Sequence, residues 1–202
     1  FGTYFEKKNL EKMIRNPQWT VVSENQYRRF FPLLSEEEIE DAASQISENE
    51  IIETIEYANR ICAHEFDLLG SGFISVGEDI NWQQDFVSGR VWPYVLAKDS
   101  FIIDLEDDSD IKIPWELSRH QYFSALGQAY VYTSDEKYSL EFKNQVEHWI
   151  SHNSYKVGAN WMCSMDIGLR AISWVWARTF FENSQSIGTS FWQLFHEVLA
   201  SH

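Results

Sequence analysis

Positive charge is what this chain lacks most. Sixteen lysines and arginines stand against 31 aspartates and glutamates in 202 residues, a formal net charge of −15. A nucleic-acid binder needs a basic face for phosphates, and docking on an anionic membrane needs a basic patch, so the composition argues against both. No apolar run approaches the roughly 18 residues of a membrane span. Cysteine is nearly missing as well. Cys62 and Cys163 are too few for a disulfide scaffold, and each falls in a helical, apolar setting that reads as a buried thiol. The chain opens on Phe1 with neither a methionine nor a signal peptide, and is expected to begin inside a longer gene product. Its length allows one good-sized core, or one domain with extensions.

Aromatic residues are plentiful: nine Trp, nine Tyr and 14 Phe make up 16% of the chain. That density fills a helical core, and flat indole faces also suit the C–H faces of sugar rings. Composition alone does not separate the two uses.

Residues 1–48 read as an N-terminal helical extension. It holds a short helical piece at 9–14, an aromatic patch at Tyr27, Phe30 and Phe31, and a capping box Ser35-Glu36-Glu37-Glu38 that opens a helix over about 36–47. A second helix, over about 49–65, places Ile51, Ile55, Ala58 and Cys62 on one face. Helical periodicity then stops from Phe66 to Ile113, where Gly70, Gly72, Gly77, Gly89 and Pro93 gather. Irregular segments this long inside a domain are often functional. This one carries Asp79-Ile80-Asn81-Trp82-Gln83-Gln84-Asp85-Phe86, polar groups alternating with aromatics that suit binding or simply seal a core.

Pro114 then fits the first turn of a helix predicted to run to about Val131. On it Glu116, Arg119, His120 and Phe123 share one stripe, an acid, a guanidinium and an imidazole beside a ring. Such a stripe suits a polar cleft, although surface ion pairs also cluster this way. The next helix, over about 135–151 with Ser134 as its cap, buries Tyr138, Phe142, Val146, Trp149 and Ile150. His148 and His152 lie one turn apart on it, but no third metal ligand follows at a recognisable spacing, so no metal site is assigned. In the helix over about 160–181, Trp161, Met165, Gly168, Leu169, Ile172 and Trp176 trace an apolar face. There Gly168 is expected to admit a neighbouring helix, Asp166 and Arg170 to pair across one turn, and Asn160 to cap the start or serve a cleft. A last helix spans about 189–201, and the chain ends on Ser201-His202 without a stop signal, as if cut. Consecutive helices with short turns predict an all-α fold of antiparallel hairpins, in a bundle or a ring.

Several of these segments, taken in order, resemble the heparinase II/III family of polysaccharide lyases. They are Phe66-Asp67-Leu68-Leu69-Gly70-Ser71-Gly72, Ile80-Asn81-Trp82 with Asp85-Phe86, Gly89 and Trp92-Pro93. Then come Pro114-Trp115-Glu116-Leu117-Ser118-Arg119-His120-Gln121, and Asn160-Trp161-Met162 through Asp166-Ile167-Gly168-Leu169-Arg170-Ala171. The resemblance covers roughly residues 60–180. It implies a partial (α/α) toroid over residues 49–202, with a long irregular loop segment, truncated at its C-terminal end and normally followed by a β-sandwich domain. It also implies β-elimination on an acidic, uronate-containing polysaccharide, with no cofactor, in the periplasm or cytoplasm of a bacterium. In that chemistry the uronate carboxylate is neutralised, a Tyr or His removes the C5 proton, and an acid reaches the leaving oxygen at C4.

By the same resemblance Trp82, Glu116, Arg119, His120, Asn160, Trp161 and Arg170 are the substrate-binding candidates, in or under the cleft. Arg119 and His120 would meet a carboxylate, Glu116 would orient Arg119, and Trp82 and Trp161 would stack a sugar. The resemblance places the family's Asn-His pair and catalytic Tyr beyond His202, and the sequence contains no Asn-His dipeptide. The catalytic groups are therefore expected beyond His202, and these residues alone are expected to be inactive. Two rivals remain. A glycoside hydrolase on a similar toroid would need two carboxylates roughly 5–9.5 Å apart, drawn from Asp85, Glu116 and Asp166. A carbohydrate-binding or scaffold domain would need no chemistry at all.

Overall fold

The computed structural model describes residues 41, 44–100 and 107–202. The expected extension, with its cap at Ser35, falls almost wholly outside the described residues. The described chain is mostly helical. Helix α1 spans Glu48–Cys62 and starts at a capping box one helix later than the predicted one. The Ser47 hydroxyl accepts the Glu50 N–H, and the Glu50 carboxylate accepts the Ser47 N–H at 3.0 Å.

The irregular segment is not wholly without strand, which corrects a strictly all-α reading. Strand β1, Glu65–Phe66, pairs antiparallel with β2, Ile74–Ser75, with Phe66 opposite Ile74. The turn between them is made by Gly70 and Gly72, with φ of +79° and +73°, a region that disfavours a side chain. Further along the segment Ile80, Trp82 and Trp92, all nearly fully buried, pin the chain inward.

The single helix predicted over 114–131 is two. Helix α2 is Lys112–Ser118 and α3 is Phe123–Thr133. Between them His120 sits at φ +55°, so the chain turns and the expected stripe is broken. Helix α3 is the centre of the molecule and packs against α1, α4 (Lys137–His152) and α5 (Ser164–Phe181). The three residues 134–136 join α3 to α4, which therefore run antiparallel. Ser134 ends α3 in the left-handed conformation instead of capping α4. Tyr138, Phe142, Val146 and Trp149 of α4 are buried as the periodicity predicts.

Helix α5 turns the other way from its predicted face. Met165, Ile172 and Trp176 are 59%, 56% and 53% exposed, while Asp166, Arg170, Trp174, Ala177 and Phe181 are buried. Hydropathy misplaces the face because two charged side chains, Asp166 and Arg170, point inward. Gly168 faces open space. The close approach falls at Gly127 on α3, where the Phe180 ring occupies the place a Cβ would take. Helix α6, Thr189–Leu199, closes the core with Phe191 and Phe195.

Candidate functional site

The site is built where the α2–α3 turn, the loop around Trp82 and the start of α5 meet. Arg119 ends α2. Its Nε–H donates to Asp166 of α5, and its Nη1 contacts the Glu116 carboxylate one turn back. Asp166 is thus paired with Arg119 and not, as the i,i+4 spacing suggested, with Arg170. Arg119 and Glu116 keep 16% exposed side chains, whereas that of Asp166 is 1% exposed. One guanidinium between two carboxylates leaves the trio with a net negative charge.

His120 follows and is wholly buried. Its ring stacks on Phe123, with centroids 4.6 Å apart, and meets Trp82, Tyr122 and Trp149 edge-on. An indole N–H can only donate, so the Trp174 Nε1–H, 3.0 Å from His120 Nδ1, fixes the imidazole proton on Nε2. That Nε2 has no hydrogen-bond partner among the described residues. Burial, with Arg170 and His202 nearby, holds the His120 pKa well below the usual histidine value, so the ring is neutral.

Arg170 is fully buried and lies over the Trp149 and Trp161 rings, 4.3 and 5.2 Å from their centroids. Its Nε–H donates to His202 Nε2 at 2.7 Å and its Nη2 to the Asn160 carbonyl at 3.0 Å. Burial brings its pKa down to about 9, partly offset by Asp166, which still leaves it charged at neutral pH. His202 is pushed down to about 3 by burial and by Arg170, so it accepts from the guanidinium as a neutral ring.

Asn160 does not cap α5. Its amide donates to the Trp82 carbonyl at 2.8 Å and to Asn153 Oδ1 at 2.9 Å, tying the loop to the end of α4. Gln83 completes this tie. It donates to Asn153 Oδ1 at 2.8 Å and accepts the Ala159 N–H at 2.7 Å. A Cβ on Gly158, at φ +82°, would sit 2.5 Å from that Gln83 oxygen, so only glycine fits the turn. Trp161, 7% exposed, donates its indole N–H to the Asn153 carbonyl.

Trp82, His120, Asn160 and Arg170 therefore lie beneath the surface. Trp82 and His120 have no exposed face with which to stack a sugar or meet a carboxylate directly. Among the candidates Arg119 and Glu116 reach solvent. Glu116 lines a cavity of about 290 Å³ with Tyr57, Asp67, Gln121, Tyr122 and Ser124. A wider hollow of about 500 Å³ over Glu56 and Arg60 of α1 and Glu65 of β1 touches none of the candidates, so its size gives it no claim as the site. Sequence reasoning named Gln83 only as part of the polar and aromatic stretch 79–86 and passed over Asn153, whose one signal was the cluster of polar residues between Trp149 and Trp161.

The hydrolase reading loses its acids. Asp85 is buried and holds its own loop, accepting the Val87, Ser88 and Asp110 N–H groups and the Ser88 hydroxyl. Glu116 and Asp166 share the Arg119 guanidinium, so neither carboxylate stands unpaired across a cleft as a hydrolase pair would.

The fold and these contacts define an α-helical domain with a polar, partly buried site beside a small cavity, and comparison gives it a family. Residues 3–202 match the family described as Heparinase II/III N-terminus, and the chain belongs to that family. A heparin-sulfate lyase of Bacteroides stercoris is 34% identical over 77 residues, 38% of this chain and 8% of that protein. One from Pedobacter heparinus is 30% identical over 101 residues, 50% of this chain and 12% of that protein. The chain thus spans about a tenth of the length of these relatives. The crystal structure of heparan sulfate lyase HepC from Pedobacter heparinus shares the fold, with a TM-score of 0.55 and 24% identity over 74% of this chain and 21% of that one.

Proposed function

We propose that this chain is the first part of an (α/α) toroid and forms one wall of the substrate cleft of a polysaccharide lyase. The enzyme would cleave an acidic, uronate-containing polysaccharide by β-elimination. A glycosaminoglycan of the heparan type is the first substrate to try, since both curated relatives are heparin-sulfate lyases. The observation that carries the reading is the family match along residues 3–202.

The geometry is consistent with a division of roles within that wall. Trp82, His120, Asn160 and Arg170 hold the wall rigid from below, with Gln83 and Asn153 tying the loop to it. Glu116, Asp67 and Gln121 would take sugar hydroxyls in the cavity, as acceptors and amide donors do well. Arg119 is already shared by two carboxylates, so neutralisation of the uronate, the base and the acid are assigned to parts of the protein beyond this wall, including the expected β-sandwich. Three polar atoms buried without a hydrogen-bond partner among the described residues, His120 Nε2, Asn160 Oδ1 and Asp166 Oδ2, support a functional cluster, since such groups are rare where structure alone is served.

The test compares this chain with the full-length gene product on a panel of uronate polysaccharides, following the ultraviolet absorbance of the unsaturated uronate. Absorbance with the full-length protein and none with this chain is expected. New reducing ends without absorbance would sink the lyase reading.

A further inference from the structure

The sequence offers two histidines one helical turn apart on α4, with no third ligand following at a recognisable spacing. The fold supplies one. Asp79, from the loop before Trp82, comes against them, and ligand atoms of Asp79, His148 and His152 all lie within 4.8 Å of one another. We propose that these three residues form a surface site for a borderline divalent transition-metal ion such as Zn²⁺. The inference is independent of the lyase reading.

The donor set favours that class of ion. Two imidazoles and one carboxylate suit zinc and its neighbours, whereas Ca²⁺ and Mg²⁺ demand oxygen shells. The ligands are already held. His152 Nδ1 lies 2.8 Å from the His148 carbonyl and 2.9 Å from the Ser151 hydroxyl, whose own proton goes to that same carbonyl at 2.7 Å. The His152 proton therefore sits on Nδ1 and the Nε2 lone pair is free, the arrangement that orients a metal-binding histidine. The two imidazoles stack with centroids 4.1 Å apart. Asp79 is 90% exposed along its side chain, yet its backbone is fixed by the buried Ile80 and Trp82 beside it. Three protein ligands with solvent on the open side leave a fourth position for water.

His148 gives the site a second property. Its Nδ1 accepts the Trp82 Nε1–H at 2.8 Å, so without metal its proton rests on Nε2 and points at Asp79, 3.0 Å away. A metal ion on Nε2 would move that proton to Nδ1, where it opposes the Trp82 N–H. Metal capture and the Trp82–His148 hydrogen bond are thus mutually exclusive. The ion should bind at micromolar rather than nanomolar concentration, and Trp82, which anchors the loop, should report its arrival.

Equilibrium dialysis of the 202-residue chain against Zn²⁺ tests this, with indole N–H resonances followed in a ¹⁵N-labelled sample. One equivalent of zinc is expected, unaffected by about a hundredfold excess of Mg²⁺ or Ca²⁺. The His152→Ala variant should weaken binding by at least about tenfold, and Asp79→Asn by less. Both positions are exposed, so folding should survive, and His196→Gln on α6 should change nothing. Zinc should shift the one indole resonance that Trp82→Phe removes. Absence of stoichiometric binding at micromolar zinc, binding that survives His152→Ala, or binding that leaves the Trp82 indole unmoved would each overturn the site.

Discussion

The core has two halves of opposite character, and they meet where Phe123 stacks on His120. On one side Phe142 packs against Phe123, Phe181 and Phe191 at centroid distances of 5.1, 4.8 and 5.7 Å, with no polar atom among them. On the other lie His120, Asn160, Asp166 and Arg170, all buried, together with His202. The first half gains free energy from burial in proportion to apolar area and asks only for good packing. The second buries a charged guanidinium with no carboxylate in direct contact among the described residues, and such groups cost stability unless fully hydrogen-bonded. A core keeps that second kind of half where it must fix one arrangement of loop and helices, which is what a cleft wall needs. The two halves should therefore fail in different ways.

The largest failure should come from the apolar half. Phe142→Ala removes a ring that is fully buried among five others and should cost about 4 kcal/mol. Its urea midpoint should fall by a similar amount at pH 7 and at pH 6, since nothing it touches titrates there. A strongly pH-dependent cost would mean the two halves are coupled and the comparison is wrong.

Acid should break the polar half next. Burial lowers the pKa of His120 and His202, the latter to about 3, and that of His196 is lowered too. Below the ordinary value of 6.5 the unfolded chain takes up protons that the folded chain refuses, so stability is complete above that pH and declines as pH falls. The buried His120 and His202 each contribute about 1.4 kcal/mol per pH unit within their windows, and the exposed His196 much less. His64 works in the opposite sense. Its pKa is raised by the hydrogen bond to Glu141, so its contribution is present below 6.5 and disappears at higher pH. The net loss between pH 6.5 and about 5 should be roughly 3 kcal/mol, measurable by urea melts across that range. A flat profile there would show that these histidines titrate normally.

The apolar half was legible in the sequence and the polar half was not. Period-3.6 spacing placed Tyr138, Phe142, Val146 and Trp149 in the core because each apolar side chain follows the same rule. The break at His120 went unseen, because a histidine at positive φ leaves no mark in a sequence with good helix periodicity on both sides. The inverted face of α5 has the same origin. Asp166 and Arg170 point inward only because Arg119, Asn160 and two indoles from distant segments wait for them. The candidate residues could be named from motifs, but their burial and the Gln83–Asn153 tie depend on contacts 70 or more residues apart in the chain for Gln83.

Glycines allow the comparison to be sharpened on a smaller scale. Gly127→Ala places a methyl against the Phe180 ring where α3 and α5 touch. The ring must shift within a packed interface, which should cost about 2 kcal/mol. A variant as stable as the parent would show that the helices separate easily there.

Gly168→Ala should do the reverse, with the smallest effect of all. Gly168 is an interior residue of α5, and a Cβ built on it meets nothing within 4 Å. No left-handed φ requires glycine at this position, since its backbone is helical. Alanine there restricts the unfolded chain and favours the helix, a gain of about 0.5–1 kcal/mol. The sign is the informative part, because the sequence alone assigned the close helix approach to Gly168. If Gly168→Ala raises the urea midpoint while Gly127→Ala lowers it, the helix contact is on the Gly127 side, as described. Loss of stability at both positions would mean that the Met165–Ile172 face of α5 is covered by something at least as close as Phe180.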